Sequence, residues 1–125
     1  MATLNVTIRD AVSSAPIEAK IHVLSSGGQF LQPADSLCKV GPGMPFFYCP
    51  GEFSLDAQRG STDIVAERGT EYRPLRRVVS MPAKGTIEVE MLLERWIDLP
   101  SRQWYPGNTH IHYNELEANP DLRLQ

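Results

Sequence analysis

The chain has 125 residues, 42% apolar and 22% charged, with fifteen acidic against twelve basic side chains and a net charge of −3. That is the composition of one globular domain, neither disordered nor nucleic-acid-binding, and no Lys/Arg cluster is longer than Arg76-Arg77. No apolar run approaches membrane-spanning length, and the opening MATLNVTIRD lacks the basic and apolar regions of a signal peptide; a cytosolic protein and one exported on a leader outside this sequence both remain open.

Alternation with a period of two residues sets in at once. Leu4, Val6 and Ile8 share one face of a strand and Asn5 and Thr7 the other, because successive side chains of extended backbone point to opposite sides. DAVSSAP reads as a turn closed by Pro16. Ile17, Ala19, Ile21 and Val23 then mark a second strand, whose outward positions Glu18, Lys20 and His22 face solvent. Ser25–Gly28, SSGG, is a strong turn signal. Residues 29–50 are irregular, with four prolines and two glycines, and Phe46-Phe47-Tyr48 forms a short strand inside them.

Glu52–Asp56 follows as a strand with Phe53 and Leu55 inward, then Thr62–Glu67, the Arg68-Gly69 turn, Arg73–Met81 and the Pro82–Gly85 turn. Thr86–Leu93 is the clearest strand, with Ile87, Val89, Met91 and Leu93 on one side and Glu88 and Glu90 on the other. Short strands at intervals of about ten residues, with turn chemistry between them, predict an all-β, antiparallel seven-stranded β-sandwich, because each one-sided sheet must bury its apolar face against another. A closed barrel is the runner-up. The predicted domain covers residues 1–99, with Ile8, Ile21, Val23, Leu55, Ile64, Val89 and Met91 in its core; residues 100–125 form a connector and a C-terminal tail.

Cys38 and Cys49 flank a Gly/Pro-rich loop. A disulfide there would close about a dozen residues and contribute on the order of 3 kcal/mol. For a single pair without a signal peptide, two reduced, partly buried thiols are the expectation, and no CxxC spacing suggests zinc. Arg73, Arg76 and Arg77 read as a solvated strand edge, with capture of an anion or docking on a neighbouring domain as the alternatives. Tyr72 reads as a core residue or as a corner tyrosine bonded back to the backbone. Trp96 and Trp104 are expected to cover one end of the sandwich or, in a full-length protein, to sit at the interface with a following barrel.

The stretch Trp104–Glu117, WYPGNTHIHYNELE, holds two of the three histidines. On a strand His110 and His112 project from the same face, so both imidazoles can reach one divalent metal, while a catalytic zinc usually takes three protein ligands and an open position. Gly107 allows a tight backbone approach, and Asn108 and Asn114 offer amides as outer partners. Glu115, Glu117 and Asp121 are nearby acids that nothing in the sequence holds opposite the histidines.

With WYPGNTHIHYN in place, the sequence resembles the metal-dependent hydrolases related to the polymerase-and-histidinol-phosphatase (PHP) group and the amidohydrolases, in particular the CehA/McbA branch. The typical wording there is an aromatic followed by G-D-x-H-x-H. Such proteins commonly carry an N-terminal sandwich like the carboxypeptidase regulatory-like domain, with transthyretin-like topology. DAVSSAPIEAKIHV, the ERGTEY turn at Glu67–Tyr72 and LLERWIDLP are similar to features of that domain.

The resemblance implies that His110 and His112 are the first two metal ligands, on the first strand of a catalytic barrel, and that Asn108 stands where the family has aspartate. It implies that NPDLRLQ begins the first barrel helix, so that residues 100–125 are the truncated start of the hydrolase domain. On this reading the chain is a non-catalytic accessory domain of a phosphoesterase or amidohydrolase, with no catalytic residue and no cofactor of its own. Zinc, manganese or iron belongs to the full-length parent, and the following catalytic domain is the partner. A homo-oligomer, in which a second chain adds its own histidine pair, is left open. The alternative function is a self-standing binding module for carbohydrate, peptide or a protein partner, working through residues 29–50 with Phe46, Phe47 and Tyr48. At least two of those three aromatics are expected in the core. A transthyretin-like hydroxyisourate hydrolase is set aside, since its C-terminal Y-R-G-S is not found.

Overall fold

The computed structural model describes residues 1–39 and 43–109 and the backbone of 116–117. Among them lie nine strands: β1 (Ala2–Asp10), β2 (Ala19–Leu24), β3 (Leu37–Lys39), β4 (Phe47–Cys49), β5 (Glu52–Ala57), β6 (Gly60–Glu67), β7 (Leu75–Met81), β8 (Thr86–Leu93) and the two-residue β9 (Leu116–Glu117). A single 3-10 turn, Pro100–Arg102, follows β8.

The strands form two sheets. One has the order β5-β1-β8 and the other β7-β6-β2-β4-β3-β9, and their inward faces share one hydrophobic core. In the first sheet Leu4 lies opposite Leu55 and Val6 opposite Phe53, while Ile8 pairs with Met91 and Asp10 with Leu93. In the second, Ile21 sits between Phe47 on β4 and Ala66 on β6, and Val23 opposite Ile64. Every one of these apolar residues occupies the inward half of its strand's alternation, so the pairing registers are held by burial. A one-residue slip would turn each set outward.

Phe47 of one sheet meets Phe53 of the other edge-to-face, with ring centroids 5.1 Å apart and planes at 84°. This is a favoured aromatic geometry, and here it bridges the two layers. Leu4, Ile8, Ile21, Phe47, Ile64, Met91 and Leu93 are fully buried. Each such side chain is worth about 1.5–3 kcal/mol relative to exposure.

Three features depart from the sequence reading. β3 and β9 are additional strands: three residues beside prolines, or two residues, are too short for an alternation to register. β1 and β8 run parallel, so the architecture is not wholly antiparallel. The side-chain pattern reports which face is inward, whereas strand direction is set by the chain crossing from β7 in one sheet to β8 in the other. Val89 is half-buried rather than central to the core. β8 is the edge strand of a three-stranded sheet, so Ile87 and Val89 are covered from fewer sides, while Met91 and Leu93 are enclosed. The other expected core residues, Ile8, Ile21, Val23, Leu55, Ile64 and Met91, are all buried.

Gly60 starts β6 with φ +125°, and a Cβ there would come within 2.6 Å of the Ser26 side chain. Both the backbone angle and the close approach require glycine. Cys38 and Cys49 are buried cysteines on the neighbouring strands β3 and β4. Burial raises the pKa of Cys49.

Candidate functional site

Two places on the surface gather polar chemistry. The first is where the chain leaves the sandwich. Past Leu93 the connector runs alongside residues 71–73: the Arg73 N–H donates to the Glu94 carbonyl and the Trp96 N–H to the Glu71 carbonyl, each at 2.9 Å. The Arg95 guanidinium bonds the Glu71 carboxylate, lies 3.2 Å from Asp98, and sits over the Tyr72 ring with 5.9 Å to its centroid. The hydrogen bond to Glu71 is the main reason that Arg95 is held more firmly protonated. The Trp96 indole N–H donates to the Thr70 carbonyl at 2.8 Å.

Tyr72 carries this clamp to β1. Its hydroxyl donates to the Asp10 carboxylate at 2.7 Å, and the same carboxylate accepts the backbone N–H groups of Val12 and Ser13 at 2.8 Å. The Ser13 N–H, the Tyr72 hydroxyl and the Val12 N–H, in that order of effect, lower the Asp10 pKa to about 2. Burial, then the hydrogen bond to Asp10, and then the Asp10 charge raise that of Tyr72. Tyr72 is therefore neither a plain core residue nor bonded back to the backbone; it links the first turn to the connector.

Beyond the clamp, Asp98 folds the connector on itself. Its carboxylate accepts the Ser101 N–H and its carbonyl the Ser101 hydroxyl, and the Trp104 N–H reaches the Leu99 carbonyl at 3.0 Å. Trp104 is 71% and Tyr105 75% exposed, so Trp104 does not cover the end of the sandwich; Trp96, 55% exposed, is fastened there through its indole N–H. Asn108 and Thr109 are exposed. His110, His112, Asn114, Glu115 and Asp121 lie outside the described residues, as do the side chains of β9. Among the described residues no three or more His, Cys, Asp and Glu side chains are gathered to hold a metal ion. Two histidines alone fall short of a catalytic donor set.

Two of the three arginines pair with neighbouring carboxylates. Arg76 forms a bidentate pair with Asp63 on the neighbouring strand, Arg73 lies 3.8 Å from Glu94, and β7 is an edge strand. This matches a solvated edge with charge guarding it.

The second place is the outer face of the larger sheet. Lys20 and His22 project there from β2, and Val65 and Glu67 from β6. The segment before β4 folds back over them. The His22 Nδ1–H donates to the Pro45 carbonyl at 2.5 Å, which identifies the protonated nitrogen because a carbonyl only accepts. The His22 ring stacks on Phe30 at 5.7 Å, and the Lys20 ammonium lies 4.5 Å from the Phe46 ring centroid. His22 is thus half-buried and bonded, not simply solvent-facing. Of the three consecutive aromatics, only Phe47 is fully buried; Phe46 is half-buried and Tyr48 is 45% exposed, the two touching edge-to-face at 5.3 Å. The result is a recess of about 260 Å³.

Sequence reasoning pointed to residues 29–50 and Phe46 but missed that β2 and β6 form the floor of this recess. The outward alternation Lys20-x-His22 and Phe46-x-Tyr48 was its only trace, and no pattern indicates that Pro45 closes over His22. No protein-family model matches the chain, and no curated protein matches it.

Proposed function

We propose that the chain is a non-catalytic accessory β-sandwich, of immunoglobulin-like or transthyretin-like topology, that presents the His110-x-His112 stretch to a metal-dependent hydrolase of the phosphoesterase or amidohydrolase type. The observation that supports this most is the anchored connector. Glu71, Tyr72, Arg95 and Trp96 tie it to the sandwich, and WYPGNTHIHYN follows it in the sequence. A metal centre tolerates little positional error in its ligands, so a ligand-bearing segment gains from a rigid origin. The partner is the following catalytic domain, whose ligands would complete a zinc, manganese or iron site.

The test is to read the coding sequence past Gln125, purify the whole product, and assay phosphoester and amide hydrolysis with added zinc or manganese. A His110→Ala/His112→Ala variant should lose turnover and one stoichiometric metal while the sandwich melts unchanged. A reading frame that closes at Gln125 would refute the proposal. So would tight metal binding with turnover by the 125-residue chain alone, since the chain would then be catalytic.

A further inference from the structure

On the outer face of the larger sheet the strand registers line up one row of side chains. Leu37 lies opposite Tyr48, Tyr48 opposite Lys20, and Lys20 opposite Glu67, across β3, β4, β2 and β6. Directly opposed residues on neighbouring strands have Cβ atoms about 4.5–5.5 Å apart, so Tyr48, 45% exposed, stands beside the Lys20–Glu67 ion pair. At the β6 end of this row the face is not flat. There the 68–69 turn brings Arg68 back toward β2, where its Nη1–H donates to the Glu18 carbonyl at 2.8 Å, and Pro74 lines the same space. The depression so bounded measures about 550 Å³, within the usual size of small-molecule sites. Among the described residues that line it, the cations Lys20 and Arg68 are balanced by the carboxylates Glu18 and Glu67. Lys20 lies 3.5 Å from Glu67 and 4.5 Å from the Phe46 ring centroid, and Arg68 lies over the Tyr72 ring. A charged ligand would therefore meet as much repulsion as attraction.

We infer that this depression, beside Tyr48 and the Lys20–Glu67 pair, binds a neutral saccharide of one or two rings. A sugar ring presents C–H groups on its faces and hydroxyls around its edge. Tyr48 and Pro74 supply apolar walls for the faces. Lys20 and Arg68 donate to the hydroxyls and Glu18 and Glu67 accept from them, and a hydroxyl can do both at once. Hydrogen bonds with an ionised partner are the stronger kind, and here they come without a net charge on the site. The site shares no residue with the connector or the histidine pair, so it stands or falls separately from the accessory-domain proposal.

Maltose, cellobiose and lactose are the probes, titrated into the isotopically labelled chain and followed by amide chemical shifts. At least one should give saturable shifts at Lys20, Tyr48, Glu67 and Arg68, with a Kd of about 0.1–10 mM. Sorbitol, which has the hydroxyls without the ring faces, should bind at least about tenfold more weakly. Tyr48→Ala should weaken the sugar by about tenfold and Tyr48→Phe, which keeps the ring, by about threefold or less; the melting temperature of each variant checks that the fold is kept. Glucuronate and glucosamine should bind no more tightly than glucose, and Glu67→Gln, which leaves an excess cation, should shift the preference toward glucuronate. Absence of saturable shifts with all three disaccharides up to roughly 50 mM would overturn the inference. A preference of about tenfold for either charged sugar, equal binding of sorbitol, or a Tyr48→Ala chain that binds unchanged would overturn it too. So would shifts at the same residues that depend on protein concentration without ligand, which would make this face a contact between copies of the chain.

Discussion

Replacing Phe47 by alanine should be among the most damaging single changes in this protein, and replacing its neighbour Tyr48 among the mildest. Phe47 is fully buried and packs edge-to-face on Phe53 and, at 6.4 Å, near Phe30. Truncating a buried phenylalanine costs about 3–5 kcal/mol through lost transfer energy and the residual cavity. The edge-to-face pair adds about 0.5–1.5 kcal/mol beyond burial, which places Phe47→Ala at the upper end, about 4–5 kcal/mol. For 125 residues the entropy of unfolding is about 0.25 kcal/mol/K, so the melting temperature should fall by roughly 15–20 °C. Phe47→Leu keeps most of the volume and should lose about 1–2 kcal/mol. Tyr48, 45% exposed on the opposite face, should lose under about 1 kcal/mol on truncation. Thermal and urea unfolding followed by circular dichroism reads both. A Phe47→Ala chain that melts within about 4 °C of the parent, or a Tyr48→Ala chain that suffers equally, would refute the assignment of β4's inward face.

Three further outcomes are expected. Tyr72→Phe removes one of the donors on Asp10, so the Asp10 pKa should rise from about 2 toward the ordinary carboxylate value. Because the folded-state pKa is depressed, the stability Asp10 contributes is present above about pH 4 and lost as pH falls toward 2; a carbon-detected titration of Asp10 that is the same in both proteins would contradict this. Gly60→Ala should destabilise by about 1–3 kcal/mol, and adding Ser26→Gly should relieve the contact but not the backbone strain; denaturant midpoints decide. The thiols of Cys38 and Cys49 should react with a thiol reagent slowly in the native protein and both promptly in denaturant, and mass spectrometry finding a disulfide between them in the native protein would overturn the assignment.

The sequence by itself determined which side of each strand faces inward. Leu4-x-Val6-x-Ile8, Ile21-x-Val23 and Met91-x-Leu93 are buried as their alternation implies, because a strand buries one face only and its side-chain period is two. It also indicated the turns at 25–28, 68–69 and 82–85, where glycine supplies what other residues resist. It did not determine that β8 lies parallel to β1, because a pattern of faces says nothing of neighbours or direction. Nor did it reveal β3, too short to show a period. The clamp of Asp10, Tyr72, Arg95 and Glu71 joins residues 62 and 24 positions apart. The recess joins β2 to a proline-bearing loop 23 residues on. Only tertiary structure brings such groups together, because a hydrogen bond needs atoms within about 3 Å and sequence distance carries no information on that scale.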